Sequence, residues 1–158
     1  LSGLGARSKA EAVARTCAIG TQLVIDAMKA TDARRLIVTS SESMTTFPSP
    51  GRPNPPKHDP GEGFVIRYIV GPVARGYFLH EHYKDLGVME DTVRDSGMDW
   101  TIVRPARLTD KPAKGRYRTE VDRKPKGGYR IARADLAHYM LGIVPATDTI
   151  GQSITINY

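Results

Sequence analysis

The chain has 158 residues, 40% of them hydrophobic and 25% charged, with a formal net charge of +6 at pH 7. That size and balance suit a single globular domain over residues 1–158 with a real core, and no apolar run approaches the roughly 20 residues of a membrane span. No basic-then-apolar leader opens the chain, and its one cysteine, Cys17, excludes an internal disulfide framework, so a reducing, cytoplasmic compartment is expected.

The basic excess does not read as a nucleic-acid or membrane surface. The 23 Lys and Arg are scattered, and no helix carries a basic stripe with interleaved aromatics. The densest group, Lys111 to Lys126, is rich in Gly and Pro and reads as a solvated loop. A site for an anionic small molecule or dinucleotide accounts for the charge as well.

Leu1 to Arg7 is apolar and glycine-rich, a strand tail turning toward a helix. Gly3-Leu4-Gly5 opens like G-x-G-x-x-G, but Ser8 stands where the last glycine belongs. Glu11 to Thr31 is the clearest helix: Val13, Cys17, Gly20, Val24 and Ala27/Met28 recur at steps of three and four, with charged residues opposite. Arg35 to Thr39 reads as a strand buried on both faces, because Leu36-Ile37-Val38 is continuously apolar. It stops at Thr39-Ser40-Ser41, a carboxyl end carrying hydroxyls.

Ser43 to Gly63 is too long and too proline-rich for ordinary connecting structure, and such loops are usually covers or mobile segments. Val65 to Gly97 reads as helical in two parts, broken near Gly71-Pro72, with Leu79, Tyr83, Leu86 and Val93 inward and Glu90–Arg94 as an i, i+4 pair. His80 and His82 lack a third ligand, so no metal is expected. Asp99 to Pro105 is the central strand, stopped by the proline. A loop should follow at the edge where open parallel sheets bind ligands. Tyr117 to Val121 and Gly128 to Ile131 read as a hairpin-like excursion, Arg133 to Val144 as a helix, and Gln152 to Asn157 as a last strand. Strands alternating with helices give an α/β class with a parallel sheet.

Three stretches together resemble the NAD(P)H-binding atypical short-chain dehydrogenases: Thr39-Ser40-Ser41 after a buried strand, Ser96-Gly97-x-x-Trp100-Thr-Ile-Val-Arg-Pro105, and Ile131-x-Arg133-x-Asp135-Leu136-Ala137. Within that group the chain is most similar to the flavin reductase/biliverdin reductase B type. The resemblance implies a three-layer Rossmann-like fold of which this chain is the carboxyl-terminal part, with the first strand and glycine-rich phosphate turn lying upstream. It implies NADP or NAD as cofactor and a small-molecule acceptor that is flat and conjugated: a flavin, a quinone or a biliverdin-like pigment. It matches Gly3, Gly5 and Arg7, then Thr39, Ser40 and Ser41, then Pro105, Ala106, Arg107 and Leu108 to loops lining nicotinamide and substrate. Ser41 would hold nicotinamide or acceptor by its hydroxyl, and Val103 and Pro105 would form a wall.

Two departures shape the expected chemistry. No tyrosine is followed four places on by lysine, so ordinary short-chain dehydrogenase acid catalysis is absent. Arg107 stands where the flavin reductase type has histidine. Arginine cannot shuttle a proton at pH 7, but it can pair with an anionic group on the acceptor. The resemblance also admits an NmrA-like redox-sensing regulator that binds the dinucleotide without turnover, or a truncated inactive fragment.

Overall fold

The computed structural model describes residues 1–3, 10, 14–60 and 80–158. Its main sheet has the order β1-β2-β6-β4. Strand β1 is Arg35–Thr39, β2 is Asp99–Pro105, β6 is Gln152–Asn157, and β4 is Arg118–Val121. The first three are parallel and β4 joins β6 antiparallel. On the outer side of β1, Ser2 bridges Val38 in parallel. That places Ser2, within the tail read at Leu1 to Arg7, beside β1; residues 4–9 lie outside the described set.

Two helical layers cover the sheet. Helix α1 is Thr16–Ala30, α2 is His80–Arg94, and α3 is Arg133–Gly142. Period-two alternation sorts the strand residues between the faces. Leu36, Val38 and Ile102 pack with Cys17, Ile25, Leu86, Met89 and Val93 of α1 and α2. Ile37, Val103 and Ile156 pack with Leu136 and Met140 of α3. The expected three-layer α/β architecture is present. Val103 is wholly buried against the α3 layer, so it belongs to the core and not to a ligand wall.

Helix α1 is turned slightly from the face its pattern suggests. Cys17, Ala18, Thr21 and Ile25 are buried, whereas Ala27 is exposed. The cause lies at its start. Arg15 is in the left-handed region (φ 55°) and offers no cap of its own. Asp85 of α2 accepts from the Cys17 and Ala18 N–H groups instead, each at 2.9 Å, and so pins α1 against α2.

Other expectations change. Arg107 to Thr109 is a short strand, β3, in place of a loop, and it pairs in parallel with β5, Arg130–Ala132. The hairpin expected from Tyr117 to Ile131 does not form. Its first arm, β4, extends β6, and its second, β5, joins β3. Each arm finds a neighbour outside the pair: β4 runs beside Ile154 and Ile156, and Leu108 of β3 sits opposite Ile131.

The proline-rich stretch, read as a mobile cover, is anchored over its described part. Ser49 Oγ and the Gly51 N–H donate to Asp91 of α2 at 2.9 and 2.7 Å, and Asp59 accepts from the Lys124 N–H at 3.0 Å. A Cβ on Gly51 would stand 2.9 Å from the Asp91 carboxylate carbon, so a side chain here would push the Asp91 carboxylate aside. Residues 61–79, including the expected break at Gly71-Pro72 and Leu79, lie outside the described set.

Candidate active site

The strand register aligns the ends of four chain segments along one edge. Ser2 pairs with Val38, Thr39 with Val103, and Pro105 with Ile156. Gly3, Ser40-Ser41, Ala106-Arg107 and Tyr158 therefore follow one another across the carboxyl edge of the parallel sheet. Open α/β sheets bind ligands at that edge.

These residues divide into those that face outward and those that support them. Gly3 is exposed, and a Cβ there would meet nothing within 4 Å. Ser41 is half-buried. It precedes the 3₁₀ turn Glu42–Thr45 and accepts from the Ser43 N–H at 3.3 Å, which leaves its own hydroxyl proton free to donate. Arg107 is exposed, with its N–H on the Tyr129 carbonyl at 3.2 Å. Leu108 is half-buried against the α3 core. Thr39 donates to the Met140 sulfur at 3.3 Å. Pro105 and Ala106 are buried and fill the space beneath the edge. Gly5 and Arg7 lie outside the described residues.

Ser40 is committed inward. Its Oγ donates to Glu90 of α2 at 2.7 Å, and its N–H donates to the Val103 carbonyl at 2.8 Å. Glu90 also receives two bonds from Arg104, at 2.9 and 2.7 Å, and one from Arg94 at 2.7 Å. Glu90 and Arg104 are 1% and 0% exposed. Burial pushes the Glu90 carboxyl up, but the Arg104 and Arg94 charges and the Ser40 hydroxyl outweigh it and hold the group below the usual glutamate range. One carboxylate thus ties the end of β1 to the end of β2. The sequence shows Glu90 only as a surface partner of Arg94. Two signals point further: Arg104 interrupts an apolar strand, and Glu90 lies on the Leu86–Val93 stripe.

A second carboxylate braces the far end of the edge. Asp135 accepts from the Lys114 and Gly115 N–H groups at 2.8 and 3.0 Å and from Tyr158 Oη at 2.6 Å. Burial raises its pKa, but these three donors prevail and the carboxyl sits below its ordinary value.

A family model described as NAD(P)H-binding matches residues 1–147. The chain belongs to this NAD(P)H-binding family. Its cofactor class is therefore a nicotinamide dinucleotide. It is similar to a solved Bacillus halodurans protein described as a putative NAD-dependent epimerase/dehydratase, at 21% identity and TM-score 0.65, over 98% of this chain and 60% of that one. A Veillonella parvula short-chain dehydrogenase/reductase in complex with NADP matches at 15% identity and TM-score 0.61, over 99% and 61% of the two chains. The Escherichia coli protein ChuY, described as an anaerobilin reductase, matches at 17% identity and TM-score 0.63, over 89% and 58%. A UPF0659 protein of Schizosaccharomyces pombe is 32% identical over 97 residues, 61% of this chain and 36% of its own length. The NAD(P)H-binding chain thus spans about three fifths of the solved structures and about a third of that relative.

The outward-facing residues fit the nicotinamide end of such a dinucleotide. A carboxamide needs a donor for its oxygen, and Ser41 keeps one. Close approach of a ring or ribose needs bare backbone, and Gly3 offers it. Among the described residues no group of three or more His, Cys, Asp or Glu could hold a metal ion, and no described helix is long and apolar enough to cross a membrane.

Proposed function

We propose that this chain carries the nicotinamide and acceptor side of an NAD(P)H-dependent reductase that transfers hydride to a flat, conjugated acceptor. The observation that carries the reading is one edge holding a donor hydroxyl, Ser41, and an exposed guanidinium, Arg107, beside the open backbone at Gly3. A bound NAD(P)H supplies the hydride. Ser41 orients the carboxamide or the acceptor. Leu108 gives the edge an apolar flank, Pro105 and Ala106 support it from beneath, and Arg107 pairs with an anionic group on the acceptor. Glu90 acts at one remove, holding the β1 and β2 ends in register through Ser40 and Arg104. Since no Tyr-x-x-x-Lys pair is present, the reading calls for an acceptor that takes hydride without a tyrosine proton donor.

The test is steady-state NADPH and NADH oxidation by the intact protein with FMN and with an uncharged quinone. Turnover with either acceptor supports the reading. Tight dinucleotide binding with no oxidation of any acceptor overturns it in favour of an NmrA-like sensor.

A further inference from the structure

The carboxyl edge does not end at Arg107. Beyond the end of β6 and the start of β4 lies an open cleft of about 480 Å³. Its lining carries four cations, Lys114, Arg116, Arg118 and Arg130, and no carboxylate side chain. Tyr129 and Tyr158 form its aromatic walls. The basic stretch that reads as a solvated loop in the sequence supplies three of these cations.

The state of the cations distinguishes this place. Elsewhere Arg94 and Arg104 share Glu90, Arg123 pairs with Glu120, and Arg133 pairs with Asp110. In the cleft no cation has a side-chain carboxylate partner among the described residues. Lys114 Nζ stands 3.8 Å from the Tyr158 ring centroid, and the Arg130 guanidinium 5.5 Å from that of Tyr129. Arg118 donates to the main-chain oxygen of Tyr158. Like charges gathered around one cleft favour an anion placed among them.

The cleft is also built. Asp135 lies outside its lining yet holds the Lys114 and Gly115 backbone and Tyr158 Oη. Asn157 Nδ2 donates to the Pro125 and Gly128 carbonyls at 2.9 and 3.2 Å, drawing the β4–β5 connection onto β6. A Cβ on Gly128 would collide with the Tyr158 carbonyl. Arg107 lies opposite Arg130, and its N–H bonds to Tyr129, so the cleft adjoins the candidate active site directly.

The geometry points to this cleft as the subsite for the anionic arm of the acceptor, an oxyanion carried on an aromatic ring system. This rests on the reductase reading above and sharpens it. The conjugated ring lies at the Ser41–Arg107 edge, and its phosphate or carboxylate reaches Arg116 and Arg130 between the tyrosine walls. An uncharged acceptor would leave Arg116 and Arg130 without an anionic partner among the described residues.

Binding titrations on the intact protein test this without turnover. FMN and riboflavin share a ring and differ by the phosphate; biliverdin and its dimethyl ester differ by free carboxylates. The unaltered protein is expected to prefer the anionic member of at least one pair, and which pair shows it names the arm. The double variant Arg116→Gln/Arg130→Gln should lose roughly 10- to 100-fold of that preference, the range expected for one or two charge-assisted hydrogen bonds. Inorganic phosphate should compete with the anionic ligand, and added salt should erode the preference. No preference in either pair, or a preference the double variant keeps, overturns the subsite. A protein that binds through the cleft but oxidises no NADPH overturns the reductase reading alone.

Discussion

Ser41 keeps a hydroxyl proton at the edge where the family's cofactor is expected, and its side-chain oxygen accepts only a long bond, 3.3 Å, from the Ser43 N–H. Ser41→Ala in the intact protein should lower kcat/KM by roughly 5- to 150-fold, because a polar partner left unpaired costs about 1–3 kcal/mol. The melting temperature should move little, since the lost turn contact is long. Unchanged kinetics across several acceptors would remove Ser41 from the site. Arg107→Ala should impair FMN reduction more than quinone reduction and flatten the salt dependence of the FMN reaction. Equal losses on both acceptors would make Arg107 structural. Glu90→Gln probes the support behind them. It leaves Arg104, which is 0% exposed, with only the exposed Asp122 carboxylate 3.9 Å away as counter-charge, a change expected to cost up to about 3–5 kcal/mol. The Glu90 pKa is depressed in the fold, so its stabilisation is present above the unfolded glutamate value of about 4.3 and is lost as pH falls from there through the folded pKa. The stability gap between parent and variant should therefore be constant near neutrality and narrow below about pH 4. A gap that stays constant down to pH 3 would show that the Glu90 charge is not what holds the site.

Helix α2 is the element that joins structure to site. Asp85 caps α1, Glu90 joins the ends of β1 and β2, and Asp91 anchors the proline-rich stretch. Asp85→Ala should cost about 1–2 kcal/mol, the loss of a helix cap, while Asp85→Asn keeps one acceptor and should cost less. Chemical denaturation of the two variants checks the order; equal values would mean the cap does not stabilise α1. The strands were readable because their signals are local. Thr101 to Val103 is β-branched and stopped by Pro105, and Gln152 to Asn157 keeps the same bounds in the fold. The hairpin failed because two short strands joined by a turn resemble one another whether they pair together or with others. Pairing was decided by Ile154, Ile156 and Leu108, far away in sequence. The Asp85 cap and the Arg104–Glu90 pair were hidden for the same reason, since neither partner shows its role without the packing of α1, α2 and β2. The position of Ser41 and Arg107 at the carboxyl edge was legible from their place after strand ends. The inward bond of Ser40 was not, because the Glu90 carboxylate arrives from a helix far away in sequence. The cleft was not, because its cations come together only when β4 and β5 part.

Across the molecule, Arg35 closes the amino edge much as the candidate site occupies the other. Its guanidinium donates to the Asp99, Ile143 and Val144 carbonyls and to Thr101 and Thr149, tying β1 to β2 and to the segment after α3. The outer side of β1 is less complete. Among the described residues only Ser2 bridges it, through two backbone bonds of 2.8 and 3.0 Å. A crystal structure of the intact protein with NADP⁺ locates the nicotinamide. Its ring is expected at the ends of β1 and β2, within about 4 Å of Ser41 and beside Gly3. A nicotinamide bound elsewhere, with Ser41 and Arg107 facing solvent, would overturn the proposed site.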